Sequence, residues 1–223
     1  MSARVKALSL ALGLLGFAAA LGGSASAQQF SADLVTTNAQ GQSTGEAGSL
    51  YVGDGVVRID SPDFRRGRFL VNVNAGSALF VIPAQRVFMD AKQSSRLIEI
   101  LVPVDPDDPC RIWEKMAQIA GVADQGGQWR CERLGTEATS GGPTIRYLAT
   151  SPSGGRDSVW IDRDLKFPVK FRFADGSGGA LGDIRRGPQS AALFTVPAGY
   201  RKFDPQRLIE RIKKSDVWVD PPK

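Results

Sequence analysis

The sequence contains no histidine and only two cysteines among its 223 residues. Histidine is the side chain that most often serves as a general base near neutral pH. Two cysteines without histidine are too few ligands for a structural zinc site. No motif brings together a nucleophile, a base and a pocket. We therefore expect a protein that is not an enzyme and that holds neither a metal nor a cofactor.

Two groups of aspartates could have a functional role, because paired carboxylates can act in catalysis or bind calcium. Asp162 and Asp164 lie between two predicted strands, where a turn explains them better than a catalytic pair. Asp105, Asp107 and Asp108 lack the glycine and distal glutamate of an EF-hand loop, and Asp108 is placed to cap a helix. Both groups therefore indicate local backbone structure.

The charge balance is mildly basic, with 28 Lys and Arg against 23 Asp and Glu. The charges are spread along the chain, so they do not predict a nucleic-acid partner. Two basic clusters, Arg65–Arg68 and Arg185–Arg186, lie beside predicted turns. They are either ordinary solvated charge or points of contact with anionic lipid.

Long apolar runs are missing after the first 27 residues. Ala7–Leu21 is uncharged, follows Arg4 and Lys6, and precedes the small-x-small pattern Ala25–Ala27. This order predicts a signal peptide over residues 1–27 that is cut after Ala27. The alternative is an uncleaved anchor, but the run is shorter than the ~20 residues that span a membrane. We expect a periplasmic protein, free in solution.

Cys110 and Cys131 are an isolated pair, 21 positions apart. In an oxidising compartment such a pair usually forms a disulfide. A redox pair would usually show Cys-x-x-Cys spacing, which is absent. The spacing and the compartment together predict a structural disulfide.

The first half of the mature chain alternates in polarity and turns sharply. Asp54-Gly55 and Ala75-Gly76 lie between apolar runs, which is typical of hairpins. These patterns predict an antiparallel meander. Its strands are expected at Phe30–Thr36, Leu50–Val52, Val56–Ile59, Arg68–Val73, Ser77–Ile82 and Val87–Met89.

A helical insert is predicted over about residues 93–121, in which the part between Gln93 and Val102 is either a short helix or an irregular crossing. Within it, Asp108–Ala120 has a broad apolar face that includes Trp113 and Met116, with Pro109 in its first turn and Gly121 as its C-cap. A helix with such a face must lie on an apolar surface. We expect it to act as a lid over the sheet.

Strands resume after the insert. Leu165, Phe167, Val169, Phe171 and Phe173 alternate with polar residues and Pro168, which predicts a strand with one apolar face. Further strands are expected at Trp129–Leu134, Ile145–Thr150, Asp157–Ile161, Ala180–Ile184 and Ala191–Val196. Asp204-Pro205 predicts the start of a C-terminal helix, and residues 216–223 a loose tail.

Three segments resemble the LolA-like superfamily of envelope proteins, which includes the periplasmic lipoprotein carrier LolA. They are Gly48–Ile59, Val159–Lys170 and Ala192–Tyr200. LolA itself carries an Arg-Pro step where this chain reads Gly53-Asp54-Gly55, so the resemblance is to an uncharacterised branch. It implies an open, unclosed β-barrel with a helical lid over an apolar cavity that accommodates acyl chains.

Residues 28–215 are thus expected to form one mainly β domain: a strongly curved antiparallel sheet, a lid and a C-terminal helix. The predicted function is binding or carrying a hydrophobic ligand, a lipid or a lipoprotein acyl chain, between sheet and lid. The alternative is a structural or protein-interaction module of the envelope with a solid core. We expect a monomer. The candidate ligand-binding residues are Phe167, Val169, Phe171, Phe173, Trp113 and Met116.

Overall fold

The structure, a computed structural model, describes residues 29–45, 47–61, 64, 66–91, 95–120 and 128–214. The predicted signal peptide, the predicted C-cap at Gly121 and the tail 216–223 lie outside the described residues. No helix within the described ranges is long and apolar enough to cross a membrane.

The described residues form twelve strands and three α-helices. The strands are β1 Phe30–Thr37, β2 Gly48–Val52, β3 Val56–Asp60, β4 Arg68–Asn72, β5 Ser77–Ile82, β6 Val87–Asp90, β7 Arg130–Thr139, β8 Gly142–Thr150, β9 Arg156–Asp162, β10 Phe167–Arg172, β11 Gly178–Arg186 and β12 Arg201–Lys202. The α-helices are α1 Leu97–Ile100, α2 Pro109–Ala120 and α3 Pro205–Lys213. Short 3₁₀ helices occur at Pro83–Gln85 and Ala191–Phe194.

All twelve strands belong to one sheet, in the order β12–β6–β5–β4–β3–β2–β1–β11–β10–β9–β8–β7. Neighbouring strands are antiparallel, except that β12 pairs with β6 in parallel. The N-terminal strand β1 lies near the middle: Phe30 is opposite Val52 of β2 on one side and Arg186 of β11 on the other. β1 therefore joins the strands that precede the helical insert and those that follow it into one sheet.

The predictions of a mainly β, antiparallel and unclosed sheet with a C-terminal helix are confirmed. The strong curl of a half-barrel is not: the sheet is open from β12 to β7 and is not strongly curled. β12 has two residues, both exposed, and β7 is mostly exposed along its length. Within the described residues, β12 and β7 are not paired with each other.

The path of the chain explains the lid. β6 lies next to one edge of the sheet and β7 at the opposite edge, so the connection between them must cross the face of the sheet. α1 and α2 form in this crossing segment. They bury apolar side chains that include Leu97, Ile98, Trp113 and Met116. The amphipathic helix predicted from Asp108 onward is therefore present as α2, and its apolar face lies on the core.

Several side-chain hydrogen bonds fasten the crossing segment to the sheet region, and two of them are accepted by backbone carbonyls. The Lys115 ammonium of α2 donates to the backbone carbonyl of Val73 at 2.8 Å. The Tyr147 hydroxyl of β8 donates to the backbone carbonyl of Pro106 at 2.7 Å. The lid is thus held to strands from both halves of the sheet.

The predicted disulfide between Cys110 and Cys131 is present. It joins the first turn of α2 to the edge strand β7. Nearby, the backbone N–H of Trp129 donates to the Glu114 carboxylate of α2 at 3.0 Å. These two contacts tie the lid to β7, the first strand after the helical insert.

The strand predicted at Ala191–Val196 is wrong, because Ala191–Phe194 is a 3₁₀ helix. The Phe194 ring lies against Gly53 in the β2–β3 turn; a Cβ placed on that glycine would be 3.0 Å from Phe194 Cε2. Phe194 packs against this turn, and the segment does not pair in the sheet. Its apolar pattern therefore arises from packing on the turn and not from a strand.

Candidate ligand-binding site

The predicted apolar stripe lies in β10 and the residues that flank it. Phe167 is 0% exposed, Phe171 3% and Val169 4%, while Phe173 is half-buried. The Phe167 ring packs edge-on against Phe30 of β1, with ring centroids 5.3 Å apart. The stripe therefore belongs to the core at the centre of the sheet and reaches its margin at Phe173.

The alternation along β10 is not strict. The pairing of β10 with β9 shifts between Pro168, opposite Ile161, and Lys170, opposite Trp160. Val169 is the extra residue of this irregularity. Pro168 was predicted to point away from the apolar face, but it is buried as well. A β-bulge inserts one residue and reorients its neighbours, which places successive side chains inside.

The two candidate residues on the lid are buried in the same core as the stripe. Trp113 and Met116 of α2 are both 0% exposed and belong to the same apolar cluster as Phe167, Val169 and Phe171. Phe173 packs against that cluster from outside. The indole Nε1 of Trp113 has no hydrogen-bond partner among the described residues. Five of the six candidate residues therefore belong to one apolar core, and Phe173 lies at its margin.

A cavity of about 320 Å³ opens beside the exposed end of this cluster. Phe171 and Phe173 of the stripe line it, together with Leu97 of α1 and Phe64. Its other lining residues are Thr36, Thr37, Asn38, Thr44, Ser95, Arg96, Asp175, Ser177 and Gly178. The cavity therefore has an aromatic and aliphatic wall and a polar rim.

Arg96, immediately before α1, connects the lid to the sheet at this cavity. Its guanidinium is ion-paired with the carboxylate of Asp157 in β9 and lies 3.9 Å from the centroid of the Phe173 ring. The Asp157 side chain is 1% exposed, whereas that of Arg96 is 44% exposed. The cation is held by a buried anion and an aromatic face, yet it still reaches solvent at the cavity.

Burial raises the pKa values of two carboxyl groups near Arg96. Desolvation raises the pKa of the Asp157 carboxyl, although Arg96 and the backbone N–H of Ala174 act in the opposite direction. Desolvation likewise raises the pKa of Glu99 in α1. Both shifts reflect the loss of water around a charge. The pair of Arg96 and Asp157 therefore lies in a partly dehydrated environment.

A wider cavity of about 840 Å³ lies on the other side of Phe64, which lines both cavities. Its lining includes Arg66 and Arg68 of the first basic cluster and the carboxylate-bearing Asp60. The Phe64 ring packs edge-on against Phe69, with centroids 5.0 Å apart. Phe64 thus separates a mainly apolar cavity from a more polar one.

The other sequence candidates take structural roles. The Asp162 carboxylate accepts from the backbone N–H groups of Asp164 and Leu165 at 2.8 and 2.9 Å, as expected for a turn. The Arg185 guanidinium lies 3.5 Å from the Asp33 carboxylate, and both side chains are solvent-exposed. Arg65 lies outside the described residues. Within the described ranges, no cluster of three or more potential ligands could hold a metal ion.

Sequence reasoning missed Phe64, Leu97, Arg96 and Asp157 as parts of this site. One signal was available: Asp157 is in phase with Val159 and Ile161 along a strand, so an acid occupies an inward position of an apolar pattern. A buried acid requires a partner. Nothing in the sequence indicates that Arg96, 61 residues away, is that partner.

No protein-family model matches the chain, and no curated protein matches it either. Solved structures do resemble it. An uncharacterised conserved protein from Thermus thermophilus is 8% identical, with a TM-score of 0.48; the match covers 79% of this chain and 90% of that one.

Two further solved structures are similar at low identity. The MucA/MucB complex of Pseudomonas aeruginosa contains a chain 14% identical, with a TM-score of 0.42; the match covers 77% of this chain and 56% of that one. A Vibrio parahaemolyticus domain named for outer membrane lipoprotein sorting is 14% identical, with a TM-score of 0.39; the match covers 74% and 88%.

Proposed function

We propose that this chain is an exported binding or carrier protein of the cell envelope that takes a lipid or lipoprotein acyl chain between its sheet and its helical lid. The observation that carries the proposal is the cavity of about 320 Å³ between α1 and the end of β10. Its wall contains Phe64, Leu97, Phe171 and Phe173. In this proposal the cavity is the entrance, and the buried stripe beneath α2 is the floor.

The size and chemistry of the cavity suit an apolar chain. Small-molecule sites have volumes of about 300–1,000 Å³, with mostly apolar walls and a few polar groups that orient the ligand. This cavity lies at the small end of that range and is flanked by Arg96. An acyl chain with a polar or anionic head satisfies both features, since its tail meets the phenylalanines and its head meets the cation.

A binding measurement tests the proposal. Leu97→Trp is expected to fill the cavity and to weaken binding of a fluorescent fatty acid by about ten-fold or more, because the larger side chain takes the space of the ligand. The matched control is Leu134→Trp on β7, where the leucine is 45% exposed and no residue of the strand lines the cavity. This control should bind as wild type does.

Two results would contradict the proposal. One is a wild-type protein, freed of bound lipid, that does not bind the fatty acid at all. The other is Leu97→Trp protein that melts cooperatively and binds as tightly as wild type. Thermal unfolding of each variant separates lost binding from lost folding.

Export is the second part of the proposal, supported by the order of charge, apolar run and small residues before Gln28 and by the disulfide, which is typical of oxidising compartments. The intact mass of the protein from the envelope fraction is expected to match a chain that begins at Gln28. Recovery of the full-length chain in the membrane pellet would contradict it.

A protein-interaction module is the second candidate. β7, Arg130–Thr139, is an edge strand of ten residues that pairs with β8 on one side only. Such an edge can accept a strand from a partner. Native mass spectrometry of protein from its own envelope distinguishes the candidates: a bound lipid mass supports the carrier, and a bound polypeptide without lipid supports the interaction module.

A further inference from the structure

The C-terminal helix α3 carries large apolar side chains that are strongly exposed. Four large hydrophobic residues are strongly exposed in the described ranges, and three of them are in α3: Leu208 at 37%, Ile209 at 43% and Ile212 at 42%. Every described side chain from Gln206 to Lys214 is exposed. This concentration of exposed apolar surface is unusual for so short a segment.

The helix itself is well defined at its start. The Asp204 carboxylate accepts from the backbone N–H groups of Gln206 and Arg207 at 3.0 and 3.3 Å, and Pro205 occupies the first helical position. The preceding residue is anchored to the sheet, since the backbone N–H of Phe203 donates to the carbonyl of Phe88 at 2.7 Å. α3 therefore projects from the β12 edge of the sheet.

The polar residues of α3 flank the apolar ones in an ordered way. At about 100° per residue, Leu208, Ile212 and Ile209 fall within one arc of about 100°. Lys213 borders this arc on one side and Arg211 on the other. Glu210 lies on the opposite face. The result is an apolar strip with a cation along each side.

We propose that α3 docks on an anionic lipid surface, with Leu208, Ile209 and Ile212 in the boundary between headgroups and acyl chains. Six of the fourteen residues from Arg201 to Lys214 are Lys or Arg, and two are acidic. Arg211 and Lys213 have no ion-pair partner within the described residues. A short helix with an apolar strip and a cationic border is the pattern of interfacial helices. Each cation near an anionic surface strengthens binding by about five-fold.

This docking surface is separate from the cavity and goes beyond the proposed function. It lies at the opposite edge of the sheet from β7, and it uses none of the residues that line the cavity. It also differs from the two basic clusters that the sequence suggested for lipid contact, because only α3 combines the charge with exposed aliphatic side chains.

The test is sedimentation of the mature full chain with vesicles of phosphatidylcholine, with or without phosphatidylglycerol. We expect binding to the anionic vesicles, weaker binding at high salt and little binding to neutral vesicles. Ile209→Ser should weaken binding by about ten-fold, and Arg211→Gln by about five-fold. Matched controls on β7, Leu134→Ser and Arg130→Gln, should bind as wild type.

Three results would overturn the inference. The first is that the chain does not sediment with anionic vesicles, and the second is that the α3 variants sediment as wild type does. The third is that binding appears only after residues 215–223 are deleted, which would show that the tail occupies the apolar strip. Because all described α3 side chains are exposed, the substitutions leave the core intact, and thermal unfolding of each variant verifies this. Loss of vesicle binding with fatty-acid binding retained would separate this inference from the proposed function.

Discussion

Replacing Phe167 with alanine is expected to lower the free energy of unfolding by about 3–5 kcal/mol. The Phe167 side chain is 0% exposed, and its ring packs edge-on against Phe30. Phe30 belongs to β1, the strand that joins the two halves of the sheet, so the void would open where those halves meet. Equilibrium unfolding in urea measures the loss as a lower midpoint with an unchanged slope.

Phe171→Ala is the matched comparison, because it makes the same change four residues away on the same strand. Phe171 is 3% exposed, but its ring borders the cavity of about 320 Å³. Part of its surroundings is already empty, so less packing is lost and the free energy of unfolding should fall by less than at Phe167. Equal losses at the two positions would show that the cavity wall is packed as densely as the core.

Removing the disulfide is the second large effect. Cys110→Ser is expected to lower the free energy of unfolding by about 2–5 kcal/mol. The bond closes a loop across 21 positions and ties α2 to the edge strand β7. Without the bond, the unfolded chain has more conformational freedom. In the folded protein, that end of β7 is then held by its pairing with β8 and by the hydrogen bond from Trp129 to Glu114.

Cys131→Ser and the double variant serve as controls, because all three proteins lack the same bond. Their free energies of unfolding should agree, and wild type treated with a reductant should approach them. A double variant much less stable than either single variant would show that the two sulfur atoms contribute by separate packing. Free alkylation of both cysteines in native, oxidised protein would contradict the bond itself.

Much of the strand content could be predicted from local pattern. Asp54-Gly55 lies in the turn between β2 and β3, and the alternation of Phe30–Thr36 became β1 with every second residue buried. These predictions succeed because hairpin turns and the two-residue period of a strand depend on neighbouring residues. The same holds for the α2 helix, whose apolar face is readable at helical spacing.

The candidate site was only partly predictable. The sequence indicated Phe171 and Phe173 as residues of one apolar face, but it did not place Phe64 or Leu97 beside them. Phe64 reaches the cavity from the connection between β3 and β4, and Leu97 reaches it from the crossing segment. Neither residue belongs to the alternating pattern of β10. Side chains from separate elements meet only after the sheet order is established, and sheet order depends on long-range pairing.

The sequence by itself determined most of the strand segments, the helices α2 and α3 and the disulfide partners, because each follows from local spacing or from residue chemistry. Only the tertiary structure decided the rest: the central position of β1, the open edges, the irregularity at Val169 and the pairing of Arg96 with Asp157. Each of these depends on which distant segments meet, and a contact between residues far apart in the chain leaves no periodic trace in either segment.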